Sequence, residues 1–321
     1  MILVTGATGF LGAELAKELV LRGNSIRCSK RTSSAIPAIL QPFGDRIEWV
    51  TADLLDADAM EEALTGVTKV YNCAAFVSLR QADKEAMIHT NIIGTANLVN
   101  LCNLYKIRMV HTSSVAAVGE APEGEKISEK HHLDPTTETD GYALSKLESE
   151  MEVWRGIAEG LDAVIVNPTI IIGASAGKEG SGQIFETVRN GLKYYTEGTM
   201  GFVDVGDVAK CMIALMESDI TAERFIINGE NRAYKQLFTE IAECMGVKAP
   251  VKLARPWMME VAWRAAALWG AVTGSSPAID KVSARAASVT REFDNSKIRK
   301  AFNYQFRPLS ETIQEICKNY R

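Results

Sequence analysis

Tyr142 and Lys146 stand four residues apart at the start of a helical pattern, which sets a phenol and an ammonium on one helix face, one turn apart. A free tyrosine titrates at about 10, too high for a base at neutrality, and a neighbouring cation favours the phenolate while leaving the group able to return a proton. Tyr142 is the expected acid/base, with Lys146 as its electrostatic partner. Such a pair is common by chance. Its place after the fifth strand-like run, Met109–Thr112, gives it weight, because that run ends in Ser113-Ser114. A hydroxyl there can hold a substrate oxygen on which charge develops. Ser114 is the expected third catalytic residue, with Ser113 or Thr112 supporting a cofactor.

A second constellation opens the chain. ILVTGATGFLG reads as a strand, a glycine-rich turn and the start of a helix, the order a dinucleotide site requires. Gly6 allows the tight turn, Gly9 lets the backbone approach a pyrophosphate, and Gly12 permits close helix–sheet packing; Thr8, Phe10 and Leu11 complete the loop. At the end of the second strand, where an NAD-selective site places a carboxylate, the chain reads Ser29-Lys30-Arg31-Thr32-Ser33. Two cations there suit a 2′-phosphate, with Arg31 the first candidate because guanidinium both pairs with phosphate and stacks on a base. Asp53 and Leu54 follow the third strand as adenine contacts. Ala74 and Ala75 follow the fourth, small enough for close approach of a ribose. Asn91 is a further candidate beside the lysine, which itself is expected to contact the ribose.

The elements that must position these residues alternate. Short apolar runs at 2–5, 25–28, 47–51, 69–73, 108–112 and 163–167 are separated by helical patterns at 11–22, 57–64, 87–104 and 142–159. That alternation predicts an α/β fold, a doubly wound parallel sheet of Rossmann type. Gly23 and Gly160 stop helices, and Asp56 caps one. The dinucleotide domain is expected over 1–167, with a returning segment at 202–229. A smaller, mainly helical substrate domain is built from 168–201 and 230–321. The polar stretch 119–141 is too long for a tight connection and is expected to cover the site.

Composition bounds the rest. The chain has 321 residues, 47% of them hydrophobic, and a formal net charge of -5 with interspersed signs, which disfavours nucleic acid as a partner. Six scattered cysteines suggest a reducing, cytoplasmic setting. Four histidines, His89, His111, His131 and His132, lack ligand spacing, so no metal is expected. No secretory leader is visible, Met1 running straight into a strand. The apolar segment 257–272 is too short and too charged to span a bilayer. A helix packing over the substrate pocket is expected there, with a membrane-surface helix as the alternative.

Taken together, TGATGFLG, ADLLD, NCAA, HTSSVAAVG, YALSK, VNPTIIIG and FVDVGDVA, in this order, resemble the extended short-chain dehydrogenase/reductases over nearly the whole chain. The second strand, IRCSKR, is most similar to the dihydroflavonol reductase and 3β-hydroxysteroid dehydrogenase-like group, with Arg27 and Arg31 at its two arginine positions. The resemblance implies Ser114, Tyr142 and Lys146 as a triad, Pro168, Thr169 and Ile170 as backbone beside the nicotinamide, and a homodimer through helices 87–104 and 142–159. Two departures stand out: Val118-Gly119 for the usual Tyr-Gly, and Asn167-Pro168 for the usual Arg-Pro. Val115 and Ala116 replace the acidic pair of the sugar dehydratases. The expected function is NADP-dependent hydride transfer to or from a carbonyl or alcohol of a small, moderately apolar substrate, NAD being the lesser option and Trp257, Met258, Met259 and Trp263 lining the pocket. A nucleotide-sugar epimerase with tightly held NAD is the alternative. A non-enzymatic dinucleotide sensor is disfavoured because both Tyr142 and Lys146 are present.

Overall fold

In the computed structural model, which describes residues 1–78, 81–136, 139–178, 180–273 and 288–320, the predicted alternation becomes a seven-stranded sheet. Its strands are β1 (Ile2–Thr5), β2 (Ile26–Lys30), β3 (Ile47–Thr51), β4 (Lys69–Asn72), β5 (Arg108–Thr112), β6 (Ala163–Pro168) and β10 (Glu223–Ile227). They lie in the order β10-β6-β5-β4-β1-β2-β3, all parallel. The order reverses between β1 and β4, the crevice where such sheets bind ligands.

Successive residues of each strand enter opposite cores. Val4, Tyr71 and Val110 pack with α1 (Phe10–Leu21) and α6 (Val205–Glu217), while Leu3, Val70 and Met109 pack with α3 (Lys84–Leu104) and α4 (Gly141–Ala158). Burial on both faces is why the strand sequences are continuously apolar. The punctuation behaves as read: Gly23 and Gly160 adopt positive φ after their helices, and Asp56 Oδ1 accepts from Ala59 N at 3.0 Å, capping α2 (Ala57–Ala63).

The remainder joins two small sheets to further helices. β7 (Ile170–Ile172), β9 (Thr199–Asp204) and β11 (Glu230–Ala233) form one sheet, and β8 (Tyr194–Tyr195) pairs with β12 (Lys252–Leu253) in the other. A third core lies among α5 (Gly182–Arg189), α7 (Tyr234–Met245) and the C-terminal helix Leu309–Lys318, around Phe185, Ile241 and Ile313. Segment 202–229 divides between the two parts. α6 and β10 return to the main sheet, but Phe202–Asp204 completes β9, because its backbone pairs with β7 and β11. The helix α8 (Pro256–Thr273) follows β12.

Candidate active site

The turn after β1 is shaped by contact rather than by loop freedom. Gly6 sits at φ +67°, and a Cβ there would lie 2.6 Å from Ala74 N, so the ends of β1 and β4 touch. A Cβ on Gly12 would lie 2.2 Å from Gly6 O, which seats α1 against the turn. At Gly9 a Cβ would meet only Gly6 O, at 3.3 Å, on the side that opens into a cleft. The α1 N-terminus carries no side-chain cap and no acidic residue in its first turn. Its unpaired N–H groups and dipole therefore favour an anion, which fits a dinucleotide pyrophosphate against Gly9, Phe10 and Leu11.

That cleft, about 1160 Å³, continues to the end of β5 and the start of α4. Ser114, half-buried Tyr142 and Lys146 share its wall, with Thr112, Ala75 and the Pro168–Ile170 backbone. Burial raises the Tyr142 phenol above its ordinary pKa, the neighbouring Ser114 hydroxyl opposes that rise, and Asp140 adds to it. Lys146 turns its ammonium to the Thr112 carbonyl at 3.2 Å. Burial pulls its pKa down to about 8, against the pull of Cys73 and Glu150 upward. Desolvation is the largest of these effects on the phenol.

One turn beyond Lys146, buried Glu150 anchors the floor. Its Oε2 accepts from Ser113 Oγ at 2.6 Å and Asn167 Nδ2 at 2.7 Å, and its Oε1 from Arg224 at 3.0 Å and Trp154 Nε1 at 3.2 Å. Asn167 also donates to the Ser114 carbonyl at 3.0 Å. Arg224, on β10, donates in turn to the carbonyls of Glu129 and His131, tying the 119–141 segment to the sheet. The same segment meets the Ser114 strand end at Gly119, where a Cβ would lie 2.5 Å from His132 O. Beneath Lys146, His111 pairs with Asn72 at 3.1 Å, and burial followed by the lysine charge holds its pKa down to about 3.

Not every candidate reaches the cleft. Gly6, Gly12 and Ala74 shape its floor without lining it, and Thr8 lies outside the lining. Asn91 spends its amide on Phe76 N at 2.7 Å, Phe76 O at 2.9 Å and Ser145 Oγ at 3.2 Å, so it braces the chain after β4 instead of facing a ligand. Leu54 packs on Gly94, and Asp53 Oδ1 accepts from Leu55 N at 3.0 Å. Lys30 and exposed Arg31 stand at the end of β2, on the open surface beyond the cleft. Arg27 is bound to Glu48 at 2.9 Å and to the carbonyls of Ala63 and Thr65, because its strand position faces α2 and β3; it serves the fold.

The tryptophan and methionine cluster of α8 is a correction. Among the described residues, none of Trp257, Met258, Met259 or Trp263 lines the cleft. Its outer wall comes instead from Val77, Ile127, Leu133, Met200, Val289 and Phe293, with the ion pair Arg291–Glu120 at 2.6 Å, Lys84 and Asp140 as its charged members. These were not legible in the sequence, since they come from five separate segments with no shared pattern. Among the described residues there is no cluster of three or more His, Cys, Asp or Glu able to hold a metal.

A parallel sheet with the reversal at β1 and β4, an uncapped helix N-terminus above it and a Ser-Tyr-Lys wall beside it define a dinucleotide-dependent enzyme of the Rossmann class. Residues 2–228 match the NAD dependent epimerase/dehydratase family, and the chain belongs to it. It is an oxidoreductase of the extended short-chain dehydrogenase/reductase type. It is 32% identical over 265 residues to sterol demethylase protein B of Methylococcus capsulatus, covering 80% of this chain and 78% of that one. With a putative dihydroflavonol 4-reductase of Synechocystis it shares 31% identity over 302 residues, 92% of this chain and 87% of the relative. Among solved structures, gox2253 superposes with a TM-score of 0.85 at 29% identity, covering 100% of this chain and 98% of that one. The UDP-glucose 4-epimerase of Thermotoga maritima, at 20% identity and TM-score 0.80 over 100% and 98% of the two chains, shares the fold.

Proposed function

We propose that this protein is an NADP-dependent reductase acting on a carbonyl of a small, moderately apolar molecule, with Ser114, Tyr142 and Lys146 as its catalytic residues. The observation that carries the reading is that Ser114, Tyr142 and Lys146 line one cleft, the Tyr142 phenol lying one helical turn from a buried ammonium. When bound, the dinucleotide supplies or accepts the hydride. The Ser114 and Tyr142 hydroxyls hold the substrate oxygen, and Tyr142, kept protonated by burial, donates its proton as charge develops there. Lys146 keeps positive charge in the wall and contacts the ribose. The apolar outer wall selects against strongly polar substrates, and Val115 and Ala116, in place of carboxylates, leave no acid to drive dehydration.

Selection for NADP is assigned to Arg31, seconded by Lys30. Among the described residues nothing pairs with the Arg31 guanidinium, and no carboxylate stands at the end of β2 to receive a ribose hydroxyl. The six cysteines, four of them buried, support a cytoplasmic setting. A homodimer through α3 and α4 belongs to the same reading.

Titration with NADPH and NADH, followed by turnover against a panel of aldehydes, ketones and nucleotide sugars, tests it. Wild type is expected to bind NADPH more tightly. Tyr142→Phe is expected to keep that binding and to lose turnover by about a thousandfold or more. Arg31→Ala is expected to erase the preference for NADPH. Purified protein carrying tightly held NAD, indifferent to NADPH, would instead mark an epimerase.

A further inference from the structure

The helix α8 is apolar, and among the described residues its side chains join no core. Of its ten side chains from Trp257 to Ala266, none is buried, although five of them are Trp257, Met258, Met259, Val261 and Trp263. No α8 residue belongs to a hydrophobic cluster among the described residues, and none lines the cleft. Trp257 is 63% exposed and Val261 59% exposed; with Arg264 and Ala265 they are the exposed positions, spaced as one helical stripe. Val251, just before the helix, is 80% exposed. Short helices in water owe most of their stability to burying an apolar face, and the stripe that carries Trp257 and Val261 is the side of this one left open to solvent.

Charge narrows what the partner is. From Gly246 to Thr273 the chain carries Lys248, Lys252, Arg255 and Arg264 against Glu260 alone, in a molecule whose net charge is -5. Glu260 is already bound to Arg264 at 2.5 Å and to Trp263 Nε1 at 3.2 Å. The Arg264 guanidinium lies over the Trp263 ring at 4.6 Å, and Lys252 Nζ lies over exposed Tyr194 at 5.9 Å. Cations layered with aromatic rings beside exposed apolar side chains match the boundary between headgroups and acyl chains. No described helix is long and apolar enough to cross a membrane, so such contact would lie in the plane of the surface.

We propose that α8, with the segment from Lys248 that leads into it, docks on an anionic phospholipid surface. Trp257 and Val261 enter the interface, and Lys252, Arg255 and Arg264 meet the headgroups. A second copy of the chain is the poorer occupant, because two identical faces would bring together two excesses of positive charge. The docking surface is separate from the catalytic wall and does not rest on the function proposed above.

Flotation of the whole protein with vesicles of equal parts phosphatidylcholine and phosphatidylglycerol, and with phosphatidylcholine alone, tests the assignment. Wild type is expected to float with the anionic vesicles only, to be released by high salt, and to shift its tryptophan emission to the blue on binding. Trp257→Ser with Val261→Ser is expected to weaken binding by about tenfold or more, and Lys252→Glu with Arg255→Glu to abolish it. Both pairs are expected to keep the wild-type melting curve and NADPH binding. Failure of folded wild type to bind anionic vesicles overturns the proposal. So does vesicle binding unaltered by the paired substitutions, or a dimer that Trp257→Ser dissociates, which would make this face a protein interface.

Discussion

Lys146 shows how burial and the proposed catalytic role oppose each other within one side chain. Its pKa is held down to about 8 by burial, so the ammonium that the wall needs is lost as pH rises through about 8 rather than near its ordinary value of 10.5. The turnover-to-KM ratio with NADPH should therefore fall above about pH 8, read from a pH–rate profile of the free enzyme. Stability moves the other way. A lysine whose folded pKa is depressed binds its proton less well folded than unfolded, so stability rises between about pH 8 and 10.5. Lys146→Met should therefore exceed wild type by about 1–3 kcal/mol in urea at pH 7, with the margin closing by pH 10.5. An unchanged margin would show that the lysine is not desolvated. That Ser114, Tyr142 and Lys146 share one wall was legible from spacing and strand order. The direction of the tyrosine shift was not, because spacing reports who is near whom and depth decides the electrostatics.

At the scale of the element, α4 carries Tyr142 and Lys146 above a buried anchor. The four-residue step that sets Lys146 below Tyr142 recurs from Lys146 to Glu150, so one face carries all three. The Glu150 carboxylate is 2% exposed and Arg224 7% exposed. Glu150→Ala leaves the guanidinium, Ser113 and Asn167 without their acceptor, and should cost about 3–5 kcal/mol in unfolding experiments. Glu150→Gln, which keeps an acceptor oxygen but loses the charge, should cost less. Equal losses would mean that the pair contributes packing alone. Such an anchor escapes sequence reading for a physical reason: three of its four partners, Ser113, Asn167 and Arg224, lie 37, 17 and 74 residues away, just past β5 and on β6 and β10. The departure at Asn167 also gains an account. The cation that position lacks is supplied from the neighbouring strand by Arg224, through the same carboxylate.

For the molecule as a whole, the legible part was the doubly wound sheet, because each parallel strand must be apolar on both faces and each crossover must be helical. Harder to read was what the outward surfaces meet, since an exposed apolar side chain carries no signature of its partner. Two such surfaces remain. One is α8; the other is the outer side of α3 and α4, where Ile93 is 40% exposed and Met151 54% exposed on helices that pack closely against each other. A two-fold contact through this helix pair would cover both residues and press the catalytic helix from behind, so the proposed dimer would stiffen the helix that carries Tyr142 and Lys146. Wild type should then sediment as a dimer, and Ile93→Glu with Met151→Glu as a monomer with unchanged far-ultraviolet circular dichroism and reduced turnover. A monomeric wild type would remove the dimer, and would leave α4 held in place by the Glu150 anchor and by its packing against α3 and the sheet.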